Sequence, residues 1–169
     1  MTVQPRTYAA PRPKIIGLVG ASGSGKTDLA CRLIEHLSKN CAVIFAKHTH
    51  HSLNADPSRG DTARAVAAGA RAAYLVGPEG AIRFDPEMTA GAQIDLFDIE
   101  SLDADVVVAE GFRHETWPKV LVETFRSDDR AAGAGPIRGV VSRQAGNTTT
   151  PRFSPEDLSG IANLFEACS

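Results

Sequence analysis

Ile15-Ile16-Gly17-Leu18-Val19-Gly20-Ala21-Ser22-Gly23-Ser24-Gly25-Lys26-Thr27 decides the fold. From Gly20 onward it fits G-x-x-x-x-G-K-[ST], and the apolar run before it reads as a buried strand, which makes it a phosphate-binding P-loop. The spacing has a chemical reason. Glycines at 20, 23 and 25 let the backbone turn its N–H groups inward around an anion without Cβ interference, so the cradle runs through Gly20, Ala21, Ser22, Gly23, Ser24 and Gly25. Lys26 would reach the β/γ-phosphates as a point charge and is a candidate catalytic residue. Thr27 would offer its hydroxyl to Mg²⁺, and the helix beginning here adds its positive end. Asp28, in the first turn, suits that dipole but slightly weakens the attraction for an anion.

Working outward, Leu29, Ala30, Leu33, Ile34 and Leu37 recur at helical spacing, so the chain from about Gly25 to Lys39 is expected to be an amphipathic helix, followed by a buried strand at 42–46. Strand, P-loop, helix and strand in that order form a βαβ unit with a right-handed crossover. Further on, Thr62 to Ala70 reads as a helix ended near Gly69, and 72–76 and 81–84 read as strands. The stretch Thr89 to Leu102 reads as an amphipathic helix, with strands at 105–109, 119–125 and 137–141 and a closing helix at 155–167. This alternation argues for a P-loop NTPase-type α/β fold, a doubly wound, largely parallel sheet flanked by helices, with ligands outside the carboxyl ends of its strands. Residues 1–13, with three prolines from Thr2 to Pro13 and no periodicity, read as a flexible tail, and 14–169 as a single nucleotide-binding domain.

Composition narrows the partners. The 169 residues are 43% apolar, enough for one sizeable core, and the net charge of −2 carries no electrostatic footprint for nucleic acid or an anionic membrane. No apolar run approaches a membrane span and 1–14 lacks a signal-peptide core, so a cytoplasmic location is expected. Cys31, Cys41 and Cys168 are neither an even set nor a C-x-x-C pair and read as buried free thiols.

Three further clusters fall at strand ends. Lys47-His48-Thr49-His50-His51 follows the second strand, with Asp56 and Asp61 shortly after. Glu110 closes the strand Val106-Val107-Val108-Ala109, where a carboxylate is placed to organise a Mg²⁺ water shell or a nucleophilic water beside a γ-phosphate. Thr27, Asp61 and Glu110 are therefore the metal candidates, and Glu110 joins Lys26 as a catalytic candidate. A helix-capping or salt-bridged acid is the alternative for Glu110. Lys47, His48, His50 and His51 would line the ligand cleft and hydrogen-bond phosphate groups; a folded metal site and exposed loop histidines are the alternatives. Lys119, in Trp117-Pro118-Lys119, is either a ligand contact or a solvated loop residue, and Arg64 and Arg71 either serve the same anions or are solvated.

Taken in order, the P-loop Gly20 to Thr27, Lys47-His48-Thr49-His50-His51, Gly60-Asp61 through Ala68-Gly69-Ala70, Val108-Ala109-Glu110-Gly111-Phe112 and Pro118-Lys119-Val120 resemble the MobB family of molybdopterin-guanine dinucleotide biosynthesis adapter proteins. The resemblance covers about Ile15 to Val122. It implies a homodimeric protein that binds GTP with Mg²⁺ and hydrolyses it weakly. It also implies work on molybdopterin or the molybdenum cofactor beside a molybdenum cofactor guanylyltransferase. The chain has no Asn-Lys-x-Asp run, whose acid accepts from N1–H and the 2-amino group of guanine. The loop after the strand at 137–141 is Ser142-Arg143-Gln144, and Arg143 cannot accept those protons, which leaves backbone carbonyls or Gln144 to read a base. The runner-up is a small-molecule P-loop kinase, for whose lid the chain between Gly77 and Asp103 offers only Arg83, and a third reading is an adapter without meaningful turnover.

Overall fold

The computed structural model describes residues 11–51, 53, 60–87, 91–123, 133–144 and 149–168. Strand β1 (Lys14–Val19) is buried from Ile16 onward and runs into the P-loop, and α1 (Lys26–Leu37) begins as the loop closes. Leu29, Ala30, Leu33, Ile34 and Leu37 are its buried residues, the stripe that helical spacing requires. Next come β2 (Val43–His48), α2 (Asp61–Ala67), β3 (Ala72–Gly77), β4 (Gly80–Phe84), β5 (Ala92–Ile94), a 3-10 turn (Ile99–Ser101) and β6 (Val106–Glu110). The chain closes with β7 (Lys119–Val122), β8 (Ile137–Val141), β9 (Arg152–Phe153) and α3 (Leu158–Asn163).

The nine strands of the described residues form one sheet in the order β5-β4-β3-β2-β6-β1-β7-β8-β9. Its pairings are parallel except β3–β4 and β4–β5 at one edge. The chain leaves β1 through α1 and reaches β2 two places away; β6 later fills the gap. Glu110 therefore ends up in register with Leu18 of β1 on one side and Lys47 of β2 on the other. That crevice is where ligands bind in open parallel sheets.

One face of the sheet packs Ile16, Leu18, Phe45, Val106, Val108 and Val120 against the apolar stripes of α1, α2 and α3. The other face buries Ile44, Tyr74, Val107 and Ala109 beneath Ile99 and Phe112, with Phe97, Leu102 and Trp117 packed around them. Truncating a side chain such as Leu33 or Ile34, both fully buried, to alanine should cost about 2–5 kcal/mol.

Several expectations need correction. Within 89–102 there is no α-helix among the described residues: Gln93 and Ile94 pair antiparallel with Ile82 and Ala81, and the Asp98 carboxylate accepts from the Glu100 N–H to start the 3-10 turn. Phe97 stacks 5.2 Å from Tyr74, so the apolar residues that mimic a helical stripe are spent individually on the second face. The closing helix is shorter than 155–167. Asp157 caps it by accepting from the Gly160 N–H at 2.9 Å, and Glu166 and Cys168 have φ of 51° and 52°, which no helix accommodates. The thiol reading also changes: Cys41 and Cys168 form a disulfide, leaving Cys31 free and half-buried. Among the described residues no helix is long and apolar enough to cross a membrane.

Candidate functional site

Glu110 is the centre of the site. It is buried, and Thr27 Oγ1 from the first turn of α1 donates to its Oε2 at 2.9 Å. Lys47 Nζ lies 3.2 Å from its Oε1 and also hydrogen-bonds the Asp61 carboxylate, at the first residue of α2. Burial disfavours the Lys47 ammonium, but the hydrogen bond to Asp61 and the charge of Glu110 outweigh it, and the pKa is raised. Arg64 lies 3.8 Å from Asp61 and pairs with Asp28. Thr27, Lys47, Asp61 and Glu110 thus form one contiguous cluster on four elements, α1, β2, α2 and β6. Its hydroxyl and two carboxylates are the oxygen donors a hard divalent cation takes, and they fit Mg²⁺. The Lys47 ammonium bridges the two carboxylates.

The loop is shaped around Lys26. Its Nζ donates to the carbonyls of Ala21 at 2.6 Å and Gly20 at 3.2 Å, and lies 3.4 Å from Ser24 Oγ. Burial lowers the Lys26 pKa; Glu110 opposes this, while Lys47 and Arg113 add to it. Gly20 is required sterically as well as conformationally. It sits at φ +153°, and a Cβ there would lie 2.4 Å from the Val122 carbonyl oxygen. Gly25 caps α1 at φ 88°, a left-handed conformation that costs most other residues about 1 kcal/mol or more.

Beside this cluster a cavity of about 290 Å³ is lined by Ser22, Lys26, His48, His50, His51, Glu110 and Arg113, among others. The His48 and His50 rings meet edge-on with centroids 4.7 Å apart, and Phe112 packs 5.4 Å from His48. Burial lowers the His48 pKa, and the neighbouring His50 and His114 push it further down against a weaker pull from Glu115. Among the described residues no group of three or more His, Cys, Asp or Glu side chains is arranged to hold a metal, so the histidine metal site has no support. A second cavity of about 360 Å³ joins Ser22, Thr27, Asp28, Lys47, Asp61 and Arg64 to the same Lys26 and Glu110.

Other candidates are placed differently. Lys119 is neither solvated nor a ligand contact: it is fully buried, and its Nζ donates to the carbonyls of Trp117 at 3.2 Å, Ala134 at 2.5 Å and Glu115. It pins the loop after β6 to the chain entering β8. Arg71 lies 3.7 Å from Asp103, away from the cluster. Asp56 falls outside the described residues. Arg113 was not singled out in the sequence, although its place three residues beyond the Glu110 strand end was the available signal.

A mostly parallel sheet whose first strand turns through a glycine-rich loop into a helix, with an acid on the adjacent strand bonded to the loop threonine, defines a P-loop NTPase-like α/β protein. The comparisons agree on the family. The family model of molybdopterin guanine dinucleotide synthesis protein B, MobB, matches residues 15–138, and the chain belongs to that family. It is 32% identical over 110 residues to the molybdopterin-guanine dinucleotide biosynthesis adapter protein of Haemophilus influenzae, covering 64% of this chain and 62% of that one. It is 34% identical over 100 residues to a putative adapter protein of Methanocaldococcus jannaschii, covering 59% and 41%. The chain thus spans less than two thirds of the length of these two relatives. The crystal structure of Bacillus subtilis MobB superposes with a TM-score of 0.58 at 21% identity, over 92% of this chain and 98% of that chain, a likeness of fold. A MobB homologue from Bacillus stearothermophilus gives 0.54 at 21% identity, covering 90% and 98%.

Proposed function

We propose that this protein binds Mg·GTP at the P-loop, hydrolyses it slowly, and acts in the cytoplasm as a homodimeric adapter that assists a molybdenum cofactor guanylyltransferase in attaching GMP to molybdopterin. The observation that carries the reading is the bond from Thr27 to Glu110, which joins the P-loop helix to the acid of the neighbouring strand in a crevice also lined by Lys26. When bound, the metal would neutralise phosphate charge. Thr27, Asp61 and Glu110 would hold it, and Glu110 would also orient a water. The Gly20–Gly25 amides, Lys26 and Lys47 would bind the phosphates, with Asp28 setting the charge of the first helical turn. His48, His50 and His51 would bind phosphate or pterin groups from the adjoining cavity. Turnover should be slow because, among the described residues, no glutamine that could position the attacking water lines the two cavities around Lys26 and Glu110.

The kinase alternative gains nothing from the fold. The described part of the chain that would have supplied a lid carries β4, β5 and the 3-10 turn, and Arg83 is paired with Asp85 at 2.8 Å. The test adds the protein to a molybdenum cofactor guanylyltransferase at limiting GTP. Wild type should raise the yield of the guanine dinucleotide form and Lys26→Ala should not. Equal stimulation by both would refute nucleotide delivery.

A further inference from the structure

A third cavity, about 310 Å³, opens at the carboxyl ends of β7 and β8. It shares Gly23, Gly25 and Asp28 with the cavity that holds Lys47 and Asp61, so one extended ligand can run from one to the other past the P-loop. Leu29, Val122 and Val141 give it apolar walls, and Glu123 and Gln144 give it a polar end. Apolar walls with a few fixed polar groups are the usual make-up of a site for a flat heterocycle, and the volume suffices for one.

Glu123 is held firmly. Its backbone N–H donates to the Val141 carbonyl at 3.0 Å, and its carboxylate Oε2 accepts from Arg152 Nη2 at 2.6 Å. Both side chains are mostly buried, at 16% and 19% exposure. Arg152 also reaches the Gln144 carbonyl at 3.5 Å, yet its Nε is buried with no hydrogen-bond partner, the one such side-chain nitrogen or oxygen among the described residues. An ion pair that leaves its own donor unpaired gains little stability, but it does fix a carboxylate in place. The other acid on this cavity, Asp28, is exposed and paired with Arg64, and Arg143 turns to Glu156 at 3.4 Å.

Resting on the nucleotide reading above, we propose that Glu123, positioned by Arg152, reads the nucleobase and selects guanine. A carboxylate accepts from two donors side by side, the N1–H and 2-amino group that guanine presents on one edge. Adenine offers a lone pair at N1 and would face the carboxylate acceptor to acceptor. Glu123 thus supplies just after β7 what the missing Asn-Lys-x-Asp acid would supply after β8. Charged hydrogen bonds of this kind, once lost, leave a buried acceptor unpaired, which is why they discriminate strongly.

The test is equilibrium binding of GTP, ITP, XTP and ATP in Mg²⁺, with inorganic tripolyphosphate as a probe of the P-loop alone. Wild type should prefer GTP to ATP by about 10- to 100-fold and to ITP, which lacks the 2-amino group, by about 10-fold. Glu123→Gln should abolish the preference for GTP over ATP and favour XTP, whose 2-oxo group accepts from the new amide, while tripolyphosphate binding and the melting midpoint stay unchanged. Arg152→Gln, which frees the carboxylate without removing it, should reduce the GTP-to-ATP ratio by a smaller factor and serves if the first variant does not fold. A GTP-to-ATP ratio untouched by both variants overturns the assignment and leaves the P-loop reading intact. Failure of wild type to bind any triphosphate or tripolyphosphate would sink both.

Discussion

Thr27 and Glu110 lie 83 residues apart in the chain, and the threonine hydroxyl donates to the glutamate carboxylate at 2.9 Å. The contact exists because β6 inserts between β1 and β2, so an acid at its last residue meets the first turn of α1 from the side. Glu110→Gln keeps the shape and can still accept from Thr27 while losing the charge that would organise a water or a cation. The variant should bind GTP and hydrolyse it about 10²–10⁴ times more slowly. Wild-type turnover in single-turnover phosphate release would make Glu110 structural and move attention to Asp61.

His48 gives a pH prediction with a definite sign. Its pKa is lowered below the ordinary 6.5 by burial and by His50 and His114. The unfolded chain therefore binds more protons than the folded one between that lowered value and 6.5, and stability rises with pH across this window. Acidifying from pH 7 through the window should lower the melting midpoint, and His48→Gln should lose that component. An imidazole NMR titration placing His48 at or above 6.5 would contradict this.

Lys119 carries its charge with three backbone carbonyls as partners. Lys119→Met fills similar space but leaves those oxygens without their donor. Each unpaired buried group costs about 1–3 kcal/mol, part of which is offset by sparing the ammonium its desolvation. A net loss of about 2 kcal/mol or more is expected in urea denaturation. A Met variant as stable as wild type would show that the carbonyls find other partners.

The disulfide joins the chain just after α1 to the segment beyond α3 across a sequence separation of 127. Closing so long a loop restricts the unfolded chain, and removing such a link typically costs about 2–5 kcal/mol. Reductant and Cys168→Ser should lower the melting midpoint equally, with no additive effect. No change under reductant would mean that the C-terminal segment docks by packing alone, through Phe165 and Ala167.

The parts of the fold that could be read from the chain are those where local chemistry and tertiary context agree. Glycine spacing, the Leu29–Leu37 stripe and the Val106–Ala109 run each specify one structure, and β1, α1, β2 and β6 follow, bringing Lys26, Thr27, Lys47 and Glu110 to one edge. The misreadings arise where context decides. Ala92–Ile94 pairs with an edge strand instead of coiling, because β4 offers an open ladder. Arg152–Phe153 is too short a strand to show a period. Lys119 reads as surface because a lysine solvated by carbonyls from Glu115, Trp117 and Ala134 leaves no local pattern. Glu123 went unnoticed for the same reason, its partner Arg152 lying 29 residues away.

The central claim is that the Gly20–Thr27 loop is a triphosphate site, and calorimetric titration of GTP with Mg²⁺ into wild type and Lys26→Ala tests it most directly. Lys26 should contribute a charge-assisted contact worth about 1.5–3 kcal/mol, so the variant should keep the wild-type melting midpoint and bind GTP roughly 10- to 150-fold more weakly. Equal affinity in a folded variant, or no saturable binding by wild type, would contradict the account.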